Sequence, residues 1–251
     1  MKQLLLPRNV ELVEQIAWSR ALLAFDFDGT LAPIVAARDA AVMRRSTMEL
    51  FKRVCVLYPT AVISGRSLRD VRARIGGARV RYVVGNHGLE PGAASPDTER
   101  ALNEARTALL RLVNETPGLD LEDKRYSISV HYRGARSKRL ASAAILAVLG
   151  RLHAKMRVIP GKLVLNVVPA SAPHKGDALL ELQARAGADI ALYAGDDVTD
   201  EDVFRLDQPG RLLTVRVGHS RTSAATWFLR DQRQMDVLLR RLITFRERAT
   251  P

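Results

Sequence analysis

The chain has 251 residues, 47% of them hydrophobic and 26% charged, enough for one large domain or a core carrying an insertion. No apolar run approaches the roughly 18 residues of a membrane span, and the opening MKQLLLPRNVELVEQ is too short an apolar stretch for a secretory signal, so the cytoplasm is the expected compartment. The net charge of +12 could steer anionic ligands or bind nucleic acid, but the basic residues are scattered and aromatics are only 5%, so neither a nucleic-acid nor a membrane partner is expected.

Short apolar runs occur at 22–27, 60–63, 81–84, 190–193 and 212–217, each ending abruptly in polar residues or glycine. They are continuous rather than alternating, as in parallel strands covered on both faces. Helical patterns at 67–75, 175–186 and 199–206 follow several of them. The fold class predicted is therefore α/β, a doubly wound parallel-sheet core of Rossmann-like type. Ligands bind beyond the carboxyl ends of such strands, where Asp26, Ser64, Asn86 and Asp196 fall. Cys55, in FKRVCVLYP, reads as a buried small hydrophobe, and a single cysteine excludes an internal disulfide.

The stretch 91–172 changes character. A loop of small residues leads to a helical pattern at 98–114, closed by Pro117-Gly118. Strand-like segments at 119–123 and 126–132 follow, then a second helix at 137–153. A hairpin of 156–159 and 163–168, joined at Pro160-Gly161, completes the stretch. Helix–strand–strand occurs twice, an internal structural repeat. The predicted organisation is a catalytic core of 1–90 and 173–251 with an α+β cap of 91–172 inserted. The segment 232–246 has helical spacing and no chemistry of its own.

The chemistry lies at the strand ends. Asp26-Phe27-Asp28-Gly29-Thr30 follows the first buried run, and the turn that Gly29 permits lets both carboxylates approach one site. Acidic pairs also cap helices, but Asp26 interrupts an apolar run, and two anions this close need a cation or a shared proton. A second cluster, Gly195-Asp196-Asp197-Val198-Thr199-Asp200-Glu201-Asp202, again follows an apolar run. Acidic residues favour a helix N-terminus, yet this cluster exceeds what capping needs. With Asp26 and Asp28 it makes an all-oxygen set suited to Mg²⁺, while no His/Cys set has zinc spacing. Ser64-Gly65-Arg66 offers a hydroxyl and backbone N–H groups for phosphate oxygens, and Lys175 opens another helix with a cation for phosphate or nucleophile.

In that order, DFDGT, the Ser64 strand end, Lys175 and GDDVTDED resemble the motifs of the haloacid dehalogenase superfamily of phosphohydrolases. Further segments, VISGR, GNHGLE, EDKRYSISVHYR and GKLVLNVVP, resemble its trehalose-6-phosphate phosphatase family. The resemblance spans nearly the whole chain. It implies a Mg²⁺-dependent sugar-phosphate phosphatase in which Asp26 forms an aspartyl-phosphate and Asp28 serves as general acid and base. It implies metal binding by Asp26, Asp28 (through its backbone carbonyl) and Asp196, with Asp197 or Asp200 contributing directly or through water. Thr30, Ser64 and Lys175 would stabilise the transferring phosphoryl, with Gly65 and Arg66 beside them on the substrate. Glu122, Lys124, His131 and Arg133 of the cap resemble residues that contact sugar hydroxyls or phosphate, and Asn86, His87 and Glu90 lie at the junction of core and cap. Asn166 departs from the pattern: the family has Glu there, a ligand to sugar hydroxyls, and Asn lacks its charge.

Another glycosyl phosphate, of sucrose phosphate or glucosylglycerol phosphate type, could be the substrate. A phosphomutase would share nucleophile and fold, and a non-catalytic sensor would lack at least one of Asp26, Asp28, Lys175 or Asp196, all of which are present. The chain carries no synthase domain, so coupling to a trehalose-phosphate synthase would run through a separate protein.

Overall fold

The structure, a computed structural model, describes residues 1–35, 40–92, 95–124, 126–206 and 208–249. Along the chain come β1 (Lys2–Gln3), α1 (Val10–Trp18), β2 (Ala21–Phe25), α2 (Arg45–Leu57), β3 (Thr60–Ile63), α3 (Leu68–Arg74) and β4 (Tyr82–Val84). Next are α4 (Pro96–Glu115), β5 (Asp120–Asp123), β6 (Ile128–His131), α5 (Lys138–Leu149), β7 (Met156–Gly161) and β8 (Val164–Pro169). The last stretch holds α6 (Lys175–Ala186), β9 (Ile190–Gly195), α7 (Glu201–Phe204), β10 (Leu212–Val217), β11 (Trp227–Leu229) and α8 (Gln234–Ala249). These form two compact units, Met1–Pro91 with His174–Pro251, and Gly92–Pro173.

The first unit is built on a seven-stranded sheet in the order β1-β11-β10-β9-β2-β3-β4. All its strand pairs are parallel. Every residue of β2 is buried, because its side chains alternate between two covered faces. Leu23 and Phe25 enter a core with Phe51 of α2, Leu192 of β9 and Leu238 and Leu242 of α8. Leu22 and Ala24 enter the opposite core with Leu179 and Leu182 of α6. The Phe25 and Phe51 rings meet edge to face at 5.8 Å, a geometry that adds to area burial. From β2 the chain winds through β3 to β4 on one side, while β9, β10 and β11 lie on the other. That reversal makes the carboxyl end of β2 the switch point where doubly wound sheets bind ligands.

The second unit carries a four-stranded antiparallel sheet, β5-β6-β8-β7. Ile128, Val130, Leu165 and Val167 face α4 and α5, packing with Leu102, Leu109 and Ile145. The period-two alternation then turns Ser129, His131 and Asn166 to the other face. The register sets Glu122 opposite Ser129 and Ser129 opposite Asn166.

Two helices (α1, α2), the edge strand β1 and its neighbour β11 fall outside the elements read from the sequence. These two strands are two and three residues long, too short to carry a periodicity. The helix expected over 199–206 divides into a 3₁₀ turn, Val198–Asp200, and the short α7, because Asp200 is drawn inward by the contacts described below. No described helix is long and apolar enough to cross a membrane.

Candidate active site

Asp26 stands at the end of β2, its N–H donating to the Ala194 carbonyl of β9 at 2.9 Å. Its Oδ1 accepts from Lys175 Nζ at 2.8 Å, and the same ammonium donates to Asp200 Oδ1 at 2.8 Å. Lys175 is the first residue of α6. A capping box fixes that helix start: the His174 ring accepts from the Asp177 N–H, and the Asp177 carboxylate accepts from the His174 N–H. Asp26, Lys175 and Asp200 are all buried.

Asp200 is saturated with donors. Its Oδ1 also accepts from the Tyr193 hydroxyl at 2.7 Å, and its Oδ2 accepts from the N–H groups of Asp196 and Asp197, each at 2.8 Å. It therefore locks Lys175, β9 and the turn after β9 together. Burial pushes the Lys175 ammonium down, but the charges and hydrogen bonds of Asp200 and Asp26 outweigh it and the net shift is upward. Burial pushes the Asp26 carboxyl well above the ordinary carboxylate range; Lys175 opposes this, and the Asp200 and Asp196 charges add to it. One ammonium among several carboxylates leaves an excess of negative charge.

Asp196 completes that imbalance. Oxygens of Asp26, Asp196 and Asp200 all lie within 4.8 Å of one another. Asp196 Oδ1 is buried without a hydrogen-bond partner. Burial, then the charges of Asp200 and Asp197, push this carboxyl up to about 7. Gly29 makes room for it: with φ of 78°, a Cβ there would fall 2.0 Å from Asp196 Oδ2. Thr30 Oγ1 is likewise buried and unpartnered. A hard divalent cation would satisfy the orphaned oxygen and the surplus charge, so the residues present fit Mg²⁺. Asp26 and Asp196 have the open ligand capacity, whereas both Asp200 oxygens are already occupied. Asp197 is exposed, and its Oδ1 accepts from the Val198 N–H at 2.5 Å.

Ser64, 1% exposed, closes β3. The loop after it is held against the loop after β4: His87 N–H donates to the Ser64 carbonyl at 2.9 Å, and Asn86 N–H to the Arg66 carbonyl at 2.7 Å. A Cβ on Gly65 would sit 2.4 Å from His87 Cε1, so only glycine lets the two loops approach so closely. Asn86 and His87 adopt left-handed backbone, φ 46° and 60°. Glu90 Oε2 accepts from the Leu68 N–H at 2.5 Å, where the orphan N–H groups of α3 favour an anion. The Arg66 side chain is buried and directed at Asp28, with Nε to Oδ2 at 2.6 Å and Nη2 to Oδ1 at 2.7 Å.

On the polar face of the second unit's sheet, Glu122 Oε2 lies 3.2 Å from His131 Nε2 and 3.6 Å from Lys124 Nζ. Ser129 Oγ donates to Asn166 Oδ1 at 2.6 Å, and Lys124 Nζ reaches the same oxygen at 3.4 Å. Glu122, Lys124, His131 and Asn166 thus form one connected polar group. Arg133 lies beyond β6, exposed, in the turn that follows. Tyr193 and Ser129 belong to these networks, although no motif in the sequence singles them out. The lone hydroxyl inside the apolar run ALYAG was the available signal for Tyr193.

A family model, trehalose-phosphatase, matches residues 24–233. A probable trehalose-phosphate phosphatase of Oryza sativa subsp. japonica is 29% identical, the match covering 98% of this chain and 72% of that protein. A trehalose-phosphate phosphatase of Mycobacterium tuberculosis is 32% identical over 74% of this chain and 51% of its own length; against the mycobacterial relatives, then, the match spans about half of the whole. Among solved structures, the C-terminal domain of C. albicans trehalose-6-phosphate phosphatase shares the fold with a TM-score of 0.73 at 22% identity, covering 94% of this chain and 97% of that one. The Aspergillus fumigatus trehalose-6-phosphate phosphatase superposes with a TM-score of 0.67 at 25% identity, covering 95% and 98%.

Proposed function

The chain belongs to the trehalose-phosphatase family, and we propose that it hydrolyses trehalose 6-phosphate to trehalose and inorganic phosphate through an aspartyl-phosphate on Asp26. The observation that carries this reading is the buried Asp26 carboxylate, sharing Lys175 with Asp200 beside the unpartnered Asp196 oxygen. An Asp26 oxygen attacks phosphorus as the ester P–O bond breaks, and Asp28 gives its proton to the departing sugar oxygen. Water then attacks the aspartyl-phosphate, its proton passing to Asp28, and phosphate leaves with Asp26 restored. Lys175 neutralises the nucleophile's surroundings, and the Thr30 and Ser64 hydroxyls stand ready to donate to phosphoryl oxygens. Asp26 and Asp196 would hold Mg²⁺, with Asp28 contributing through its backbone and Asp197 and Asp200 acting from behind. The ion would supply charge stabilisation to the transferring phosphoryl.

Glu122, Lys124, His131, Arg133 and Asn166 are the residues we assign to sugar recognition. The Asn166 carbonyl oxygen already accepts from Ser129, and its amide donates to the Ile159 carbonyl at 3.4 Å, which leaves mainly the second amide hydrogen to meet a hydroxyl. Asn166→Glu is therefore expected to raise kcat/KM for trehalose 6-phosphate about 10-fold, since a charge-assisted hydrogen bond exceeds a neutral one by about 1–1.5 kcal/mol. A fall would show that Asn166 reads a different sugar. The test of the function itself is kcat/KM over trehalose 6-phosphate, sucrose phosphate and glucosylglycerol phosphate, before and after chelation. Preference for trehalose 6-phosphate, loss with chelator and recovery with Mg²⁺ are expected. Preference for another ester would move the substrate, and chelator-resistant turnover would remove the metal.

A further inference from the structure

Asp28 is held by more than its place in the chain. The Arg66 guanidinium grips both of its carboxylate oxygens, at 2.6 and 2.7 Å. Its remaining terminal nitrogen, Nη1, donates to Asp70 Oδ2 at 2.7 Å. Asp70 in turn accepts at Oδ1 from Arg74 Nε at 2.8 Å, and Arg74 Nη1 donates to the Ala41 carbonyl at 2.7 Å. The Arg66 side chain is 2% exposed, whereas that of Asp28 is 42% exposed. The Arg66 guanidinium also lies 5.8 Å from the centre of the Phe27 ring. A buried fork, braced from behind and reaching out to a half-open carboxylate, is unlike a residue waiting for a ligand.

We propose that Arg66, braced by Asp70 and Arg74, is the positioning residue of Asp28, fixing the carboxylate through which protons pass to the leaving group and from the attacking water. The inference rests on the acid–base reading of Asp28. A carboxylate has about four lone-pair sites, and a bidentate guanidinium takes one on each oxygen. One site on each oxygen stays open, on a side chain that solvent reaches. The side-chain torsions of Asp28 are thereby set without blocking the proton in transit. An ammonium cannot do this, because Lys is a point charge with no planar fork. Direct binding of substrate phosphate by Arg66 would require it to release two carboxylates while buried, a strongly unfavourable exchange.

The test is the dependence of kcat/KM on the leaving group. With p-nitrophenyl phosphate the departing oxygen needs no proton, and kcat/KM reports only steps through its departure. With trehalose 6-phosphate the departing alkoxide needs one. Asp28→Asn is expected to lose about 10³-fold on the sugar ester and under about 10-fold on the aryl ester. Arg66→Lys should copy that asymmetry at smaller size, about 10²-fold against a few-fold, with wild-type circular dichroism. Asp70→Asn, which keeps Arg66 but removes its brace, should show the same asymmetry more weakly, and it decides the matter if Arg66→Lys does not fold. Equal losses on both esters in the Arg66 or Asp70 variants, with asymmetry in Asp28→Asn, would overturn the positioning role alone. Equal losses in Asp28→Asn would overturn the acid–base reading and the proposal with it.

Discussion

Asp26→Asn is expected to lower turnover by roughly 10⁴–10⁶-fold, the scale on which removal of a covalent nucleophile acts, while leaving the fold intact. The amide keeps the shape of the carboxyl, and its oxygen can still accept from Lys175 Nζ. It also removes an anion that the surroundings resist. Burial and the Asp200 and Asp196 charges raise the Asp26 pKa in the folded chain, so ionising it works against folding. A raised folded-state pKa means that stability is full below the unfolded value of about 3.9 and declines as pH climbs from there through the folded value. In metal-free buffer the wild type should therefore lose stability above about pH 4 relative to the variant. Thermal melts at pH 4 and pH 7 check this: the variant should match or exceed wild type at pH 7, and phosphate release should be absent. Retained turnover would sink the covalent mechanism, and a variant that melts lower at pH 7 would show the Asp26 carboxylate to be stabilising.

Much of this site was readable because its parts are local. The β2 run is buried on both faces and ends in a carboxylate, so chemistry interrupts it visibly. GDDVTDED concentrates its oxygens within one turn, and Lys175 opens a helix with its own capping box. What the sequence did not expose is pairing created by register. Phe25 of β2 lies opposite Val62 of β3, so the loops leaving both strands emerge at one end of the sheet. That places Arg66 on Asp28 across 38 positions of sequence, and read alone Arg66 was as good a phosphate ligand. Ser129 meets Asn166 for the same reason, through the β6–β8 register. The GDDVTDED cluster places Asp200 among the metal's neighbours without telling direct contact from indirect. Four donors converge on its two oxygens, from Lys175, Tyr193 and two backbone amides, and such convergence is invisible in a string of acidic residues. In the structure Asp200 is the keystone behind the site, and Asp196 is the oxygen left open in front of it.

Lys175→Met carries the second large effect, because one ammonium serves two buried carboxylates. Methionine fills a similar volume, so packing in the interior of the first unit changes little. The charge balance changes completely. Asp26 and Asp200 lose their cation together, and removing one partner of a buried ion pair typically costs about 3–5 kcal/mol because a charge is stranded. The Asp26 carboxyl can relieve part of this by taking up a proton. Losing Lys175 removes the opposing pull on Asp26, so its pKa climbs further above the unfolded value. A higher folded-state pKa makes the stability deficit grow as pH rises, so the variant should approach wild type in acid and fall away from it towards neutrality. Urea midpoints at pH 5 and pH 8 measure the difference directly, with a wider gap expected at pH 8. An equal gap at both would mean that the loss is one of packing. Turnover should fall about 10³-fold or more even where the variant is folded, since preorganised charge at a transferring phosphoryl is among the largest catalytic contributions. Near-normal kcat in folded protein would restrict Lys175 to holding β2, α6 and the turn after β9 together.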